Sequence, residues 1–396
     1  RVLAIAADIL SDMGAYGVYP HGHILEALGT PGLIPGPYRL PAYRYRTRAV
    51  ATNRAPGGAY RGVGVAVSAF VHERLIDMVA GRVGADPAEV RRRNLVSRSE
   101  MPYATVAGLT YDSGDYPAIL ELALSEAGVA EIDQRRRDAE RRGLLLGVGL
   151  ASYVETTGMG SETFARRGMV GIRGYDDARI VIGNDGSATL MISLPSAGQG
   201  LGTSFAQLLA DQLALPLGSI RVAEVNTDDT ADGTGTFGSR SAAAGGPLIA
   251  KTAAVMRERL RQAAARALEV SESDLEFRDG SVGVKGVHQA SVSFAELVKD
   301  APPAYFDVSE RYDPSATTFS YGAHVCIVEV DPRTGEVKVV EHVIAEDCGP
   351  LINPLLADGQ THGATAQGIG AALLEAIRYS ADGQPLTTTM VDYLLP

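Results

Sequence analysis

The sequence predicts an α+β fold in which mixed sheets carry packed helices. Strand-like alternation comes mainly as antiparallel hairpins, and long helical patterns follow glycine-rich loops without a regular strand–helix–strand rhythm. Hydrophobic residues make up 45% of 396 residues, enough for sizeable cores, and roughly 150 residues per domain gives a prior of two to three domains. The reading adopted here is two bodies, 1–142 and 143–396.

In the first body, the alternation from Tyr43 to Val50 in PYRLPAYRYRTRAV suits a strand. The glycine loop APGGAYRGVG leads into a helical pattern ending near Val83. Asp86-Pro87 reads as N-cap and first residue of a helix over AEVRRRNL. Asp115 caps a further helix over PAILELALSEAG, and EIDQRRRDAERRG reads as a solvated helix crossing between the bodies. The second body, from near Leu144, opens with the hairpin ARIVIGNDGSATLMISL, turning at Asn184-Asp185-Gly186. A glycine loop, a helix from Thr203 to Leu215 and a strand IRVAEV follow. The loop NTDDTADGTGTFGSRS leads into the longest helix, about Ala242 to Glu269, after which Ser271 and Asp274 resemble a capping pair. A second hairpin, AHVCIVEVDPRTGEVKVVEHVIA, turns at Pro332 to Gly335 and precedes another glycine loop and helix. Gly198-Gln199 with Ala206-Gln207, and Gly359-Gln360 with Ala366-Gln367, form a weak repeat that would present equivalent loops.

Composition removes several classes. The formal charge of −11 opposes a general nucleic-acid binder, which needs a basic surface. Cys326 and Cys348 form no CxxC, so the chain has no four-thiolate zinc or iron–sulfur set, and a reduced, cytoplasmic protein is the expectation. The apolar stretch Leu144 to Val154 is too short to span a bilayer, and no signal peptide is visible. The chain opens without Met inside an apolar segment and stops at DYLLP, which reads as an interval of a longer polypeptide.

Glycine stands at 45 residues and clusters in four loops expected before helices: Gly57 to Gly64, Gly198 to Gly202, Gly233 to Gly238 and Gly359 to Gly363. Helix N-termini offer unpaired N–H groups, and glycine lets a ligand approach the backbone. No Gly-Lys-Ser/Thr phosphate loop and no dinucleotide fingerprint occurs. With Gln199, Gln360, Gln367, Ser239 and Ser241 interleaved, the pattern points to a large polar anion held by backbone and amides. Arg61 and Arg240 could each bind an oxyanion or be surface residues. His21 and His23 lack a third ligand, the run Asp228-Asp229-Asp232 reads as a solvated loop, and Cys348 as a small core residue. No catalytic triad or carboxylate pair is assignable.

GGAYRGVG with DPAEVRRRNL, GQGLGTSFAQLLADQL, NTDDTADGTGTFGSRS and DGQTHGATAQGIGAALLE running to DYLLP resemble, in order, the molybdenum hydroxylases. These are the large subunits of xanthine dehydrogenase, aldehyde oxidase and carbon monoxide dehydrogenase, and the resemblance extends from about Tyr38 to Pro396. It implies two molybdopterin-binding domains and a pyranopterin molybdenum cofactor, in bacteria often the cytosine dinucleotide form, with the molybdenum held by the pterin and by no side chain of this chain. By motif, Gln199 would lie near metal or pterin, with Gly200 and Thr203 holding the phosphate-bearing part and Gly198 among the cofactor-binding residues. Thr236, Phe237, Gly238, Ser239 and Ser241 would supply backbone and hydroxyl contacts, and Gln360 and Gln367 would bind pterin. Arg61, Gly62 and Val63 form the substrate loop.

Departures from the family pattern sharpen the expectation. Gly62 stands where copper-containing carbon monoxide dehydrogenases carry cysteine, so a non-copper type is implied. Val63 stands where purine-oxidising members carry an aromatic residue. The family's glutamate base lies beyond Pro396, and its glycine–phenylalanine loop precedes this region. The resemblance implies hydroxylation of an aldehyde or N-heterocycle with water-derived oxygen. It further implies a [2Fe-2S] small subunit, an FAD-binding medium subunit and a dimer of heterotrimers. The alternative is a non-catalytic half of a split cofactor-binding subunit.

Overall fold

The computed structural model describes residues 1–17, 25–223, 226, 228 and 232–396, so His21, His23 and Asp229 lie outside the described residues. The chain forms two compact units, each assembled from separated segments. The first comprises Arg1–Glu155, Phe319–Gly349 and Thr361–Pro396; the second comprises Thr156–Thr318 and Pro350–Gln360. Strands and helices are mixed as the α+β expectation requires.

In the first unit, β1 (Ala4–Asp12) and β2 (Ala42–Val50) pair in parallel from Ala4↔Ala42 to Asp12↔Val50. Parallel strands need a crossover, and α1 (Leu25–Leu33) lies within it. Tyr43 Oη donates to Pro31 O at 2.8 Å and Thr47 Oγ1 to Ala27 O at 3.1 Å, so one face of β2 is tied to α1. The expected helix after the first glycine loop is α2 (Val65–Val83), and α3 is Pro87–Asn94, where Asp86 accepts from Glu89 N at 2.8 Å. A small hairpin, β3 (Tyr103–Ala104) and β4 (Thr110–Tyr111), precedes α4 (Tyr116–Glu126), where Asp115 accepts from Ala118 N at 3.2 Å. The charged α5 (Ile132–Arg141) buries only Ala139, as a solvated helix should.

The following strand, β5 (Leu145–Thr157), joins a sheet of order β14–β13–β5, with β13 spanning Thr318–Val330 and β14 Val337–Asp347. On β13, Phe319, Tyr321, Ala323, Val325 and Ile327 alternate into the core. There the Tyr111 and Phe319 rings, and the Tyr116 and Tyr321 rings, meet edge-on with centroids 5.0 Å apart. A charged cluster is buried between α2 and α3: Arg91 pairs with Glu73 and with Asp77, and also donates to Leu150 O at 3.0 Å. Tyr38 Oη closes the cluster on Glu73.

The second unit begins with the short α6 (Ser161–Arg166). Its sheet has the order β12–β6–β7–β8, where β6 is Asp176–Ile182, β7 Ala188–Ile192, β8 Ile220–Val222 and β12 Asp307–Tyr312. The β6–β7 hairpin turns at the expected tripeptide, with Gly186 at φ 81°. Helix α7 (Leu201–Leu213) returns the chain so that β8 pairs with β7 in parallel. This strand–helix–strand step was not evident from sequence, because β8 is only three residues long. Helix α8 (Ser241–Leu268) supplies Leu248, Ile249, Met256 and Leu260 to a core shared with Ile180, Ile182, Leu190 and Phe205. Beyond it lie β9 (Leu275–Arg278), β10 (Ser281–Val284), β11 (Ser291–Ser293) and α9 (Phe294–Lys299).

Three local expectations are corrected. Ser271 and Asp274 form no cap: Ser271 Oγ meets Ser273 Oγ at 2.9 Å beside a single 3-10 turn. The capping boxes lie at Ser97/Glu100 and Ser293/Glu296. Gly359 to Gly363 is no loop but sits inside α10 (Pro354–Leu373), because Asn353 Oδ1 accepts from Leu356 N at 3.1 Å and starts the helix earlier. The weak repeat therefore does not present two equivalent loops.

His324 on β13 lies with Nδ1 3.1 Å from His342 Nε2 on β14. Burial, and then the neighbouring imidazole, pull its pKa from 6.5 to about 4. The unfolded chain therefore binds the proton first. The stability tied to a neutral His324 is complete above about pH 6.5 and declines as pH falls toward 4. Imidazole NMR titration should show His324 neutral at pH 5.5, and His324→Phe should flatten that part of the acid-unfolding curve.

Candidate functional site

The predicted ligand-binding residues fall on two surfaces, one in each unit. In the second unit, β7 runs into the loop Ser193–Gly200, which opens α7, and the loop Gly233–Ser241 opens α8. The structure brings these two loops together: Thr236 Oγ1 donates to Pro195 O at 2.6 Å, and Ser241 Oγ donates to Thr236 Oγ1 at 3.2 Å. The helices behind them pack closely, for a Cβ on Gly245 would lie 2.9 Å from the Phe205 ring.

Gly200 is the N-cap of α7 in the left-handed region at φ 80°, and a Cβ there would meet Leu356 Cδ1 at 2.7 Å. Both facts demand glycine. Gln199 folds back on its own loop, its Oε1 accepting from Ala197 N at 2.6 Å, which leaves the amide NH2 as the end available to a ligand acceptor. Gly198 stands at φ 106°, and Thr203 is exposed on the first turn of α7. In the second loop Gly235, Gly238 and Ser239 all have positive φ. Phe237 packs its ring 5.8 Å from that of Phe164 on α6. Gln360 closes this unit's part of α10.

The foundation of the second loop is a buried ion pair that sequence reasoning missed. Arg240 and Asp176 are both fully buried and bonded to each other. Arg240 also donates to Gly174 O at 2.5 Å and Gly235 O at 3.0 Å. Asp176 accepts from Ser193 Oγ at 2.9 Å, Thr234 N at 3.1 Å and Gly235 N at 3.2 Å. Burial pushes the Asp176 carboxyl up, and the Arg240 guanidinium opposes it. Of the two roles open to Arg240, the structure thus selects neither surface residue nor ligand donor: it is a buried strut. Asp176 opens a β-strand motif, so nothing in its local pattern marks it as buried.

In the first unit, Arg61, Gly62 and Val63 form a turn before α2. Gly62 and Gly64 have φ 74° and 76°, and Gly64 N donates to Glu26 Oε2 at 3.0 Å. Arg61 is exposed, and its Nη1 donates to Gln367 Oε1 at 3.3 Å on the α10 segment of the same unit. Two residues predicted from separate motifs are therefore neighbours. Tyr379 fixes the preceding loop, its Oη accepting from Ala55 N at 3.0 Å.

Other candidates are excluded from chemistry by their surroundings. Asp232 is taken up by Arg173 at 2.6 Å and Tyr175 Oη at 2.5 Å. Cys348 is exposed instead of being a core residue. Partial desolvation, then Glu346 and Asp347, push its thiol up, away from an activated nucleophile. Among the described residues no group of three His, Cys, Asp or Glu side chains is placed to hold a metal ion, and no helix is long and apolar enough to cross a membrane.

This architecture defines a cofactor-binding protein, and comparison with known proteins identifies which. A molybdopterin cofactor-binding domain family matches residues 122–396, and a second molybdopterin cofactor-binding domain family matches residues 1–95. The chain belongs to the molybdopterin-binding domains of the xanthine dehydrogenase family. It is 34% identical, over its whole length, to half of the nicotine 6-hydroxylase large subunit of Paenarthrobacter nicotinovorans. It is 33% identical, again over its whole length, to half of the carbon monoxide dehydrogenase large chain of Hydrogenophaga pseudoflava. The crystal structure of quinoline 2-oxidoreductase from Pseudomonas putida 86 superposes on 100% of this chain with a TM-score of 0.92 and 36% identity, over 51% of that chain. The chain thus spans about half the length of the relatives it matches.

Breaking the strut exposes its role. Arg240→Met leaves a buried, unpaired Asp176 and should destabilise the second unit by about 3–5 kcal/mol in urea unfolding. Adding Asp176→Asn should recover part of the loss, since it removes the stranded charge.

Proposed function

We propose that the chain is the molybdopterin-binding part of an oxidoreductase that hydroxylates an aldehyde or N-heterocycle with water-derived oxygen. The observation that carries this reading is the pair of glycine loops, Ser193–Gly200 and Gly233–Ser241, joined through Thr236 at the N-termini of α7 and α8. Relatives named for nicotine and quinoline favour an N-heterocycle. Gly62, in place of a cysteine, supports a non-copper type.

The donor set fits a large polar anion. Gln199, Gln360 and Gln367 offer amides, Thr203, Ser239 and Ser241 hydroxyls, and Gly198, Gly200, Thr236, Phe237 and Gly238 backbone. When bound, the cofactor supplies a Lewis-acidic metal and a two-electron acceptor. Gln199 orients it through its amide, held by Ala197 N. Arg61, steadied by Gln367, presents a fork of donors to a substrate oxygen or ring nitrogen, and Val63 leaves the adjoining surface without an aromatic plate. The general base is supplied by the glutamate the family carries beyond the segment matched here. An iron–sulfur subunit and an FAD subunit, in a dimer of heterotrimers in the cytoplasm, accept the electrons. The order of the two family matches, 1–95 and then 122–396, supports two successive cofactor-binding domains, taken in this proposal as 1–142 and 143–396.

Purified with its partner subunits from a host that makes the cofactor, the protein should contain molybdenum and transfer 18O from labelled water into the hydroxylated product. Lack of molybdenum in that host would overturn the proposal. Gln199→Ala should lower the molybdenum content with unchanged circular dichroism. Arg61→Ala should reduce kcat/KM by about 10- to 100-fold, the worth of a charge-assisted hydrogen bond.

A further inference from the structure

The turn Arg61-Gly62-Val63 ends on a residue that brings no capping side chain to the helix it starts. Gly64 is the N-cap of α2 in the left-handed region, and the first turn of α2 holds no acidic residue. A capping side chain normally fixes where a loop ends and a helix begins. Here a different helix supplies it. Glu26, in the first turn of α1, accepts from Gly64 N through Oε2 at 3.0 Å, and the same oxygen accepts from Thr30 Oγ1 at 3.4 Å. The positive end of the α2 dipole favours a carboxylate at this place.

Helix α1 is a fixed platform for that carboxylate. Tyr43 and Thr47 of β2 hold its carbonyls at Pro31 and Ala27, and Ser68 Oγ of α2 donates to Thr30 O at 2.9 Å. Gly64 rests directly on it, for a Cβ there would fall 2.9 Å from Thr30 N and 3.0 Å from Gly29 C. Backbone thus meets backbone, with no side chain between them to adjust. Upstream, the loop is tied where Gly57 N donates to Met13 O at 3.1 Å. Gly62 O accepts from Val65 N at 2.9 Å and from Ala66 N at 3.0 Å, which carries the position of Gly64 back to the residue after Arg61. Two glycines at positive φ give such a turn many alternative conformations. A charge-assisted hydrogen bond at Gly64 selects one of them. Arg61, whose Nη1 donates to Gln367 Oε1 at 3.3 Å, is aimed by that choice.

We propose that Glu26 is a positioning residue: by accepting from Gly64 N, it holds the turn Arg61-Gly62-Val63 in the conformation that presents the Arg61 guanidinium to substrate. The anchoring concerns the chain alone, and its consequence for substrate rests on the function proposed above. Acting through Arg61, Glu26 contributes no more than the correct placement of that guanidinium.

The protein purified with its partner subunits, with quinoline and benzaldehyde as probe substrates, tests this. Hydrogen–deuterium exchange at the Gly64 amide should be faster by about tenfold in Glu26→Ala and close to wild type in Glu26→Gln, whose amide oxygen still accepts. Glu26→Ala should lower kcat/KM by about 5- to 10-fold, part of the Arg61→Ala loss, and Glu26→Gln should restore most of it. In an Arg61→Ala background, Glu26→Ala should add about twofold at most, because the group it positions is gone. Tyr43→Phe, which loosens α1 from β2 without touching Gly64, should lower the melting temperature and leave kcat/KM at the wild-type value. Unchanged Gly64 exchange in Glu26→Ala overturns the proposal. Losses that multiply in the double variant also overturn it, as a purely structural Glu26 would give. If Glu26→Ala fails to fold, Glu26→Asp, which draws the carboxylate back by one methylene, decides. Faster Gly64 exchange and a lower kcat/KM are then expected, and wild-type values for both overturn the proposal. A wild type that acquires no molybdenum sinks the function proposed above and leaves the anchor to the exchange result, which also decides alone if neither probe is turned over. Turnover with kcat/KM unmoved by Glu26→Ala sinks the positioning role alone.

Discussion

The second unit depends on one interaction, the buried pair of Arg240 and Asp176. The pair gives partners to backbone groups that lie outside any ladder, the carbonyls of Gly174 and Gly235 and the N–H of Gly235. A carboxylate can accept several N–H and O–H donors at once, and a guanidinium can satisfy several carbonyls, so the two side chains replace a sheet with a point of convergence. Such a pair is a poor source of net stability, because both ions lose their water. Its value lies in geometry: any displacement of the loop breaks several bonds around a charge. The first unit uses the same device, where Arg91 joins Glu73 and Asp77 to Leu150 O.

Glycines and caps were legible in the sequence; convergent charges were not. Asp86-Pro87 and Asp115 announce α3 and α4 because a capping carboxylate acts within three residues of itself. The hairpin at Gly186 is local for the same reason. By contrast, β1 and β2 pair in parallel across the span that contains α1, and no turn signal marks such a partner. Helix α10 was misplaced because its glycines suggested a loop, while the decisive residue, Asn353, lies several positions earlier. Asp176 carries no signal in the sequence and Arg240 is left there between oxyanion ligand and surface residue, since their burial is set by segments far apart in the chain.

The site residues divide along the same line. Gly200, Gly235 and Gly238 were visible as motif members, and their left-handed backbone explains their identity. The contact of Arg61 with Gln367 joins two motifs about 300 positions apart, and only the fold could reveal it. Ser193 carried no motif at all, yet it ties the end of β7 to Asp176.

These arrangements explain how an acidic chain, at −11, can hold an anion. Most of the arginines near the loops are spent on internal carboxylates, so the binding surface is built from neutral amides, hydroxyls and backbone N–H groups. Neutral donors fixed in direction select the shape of an anion more than its charge, and they leave the apo protein without a cationic patch for stray polyanions. The neutralised arginines hold the loops in place, so the surface that meets a ligand is shaped by donors of fixed direction.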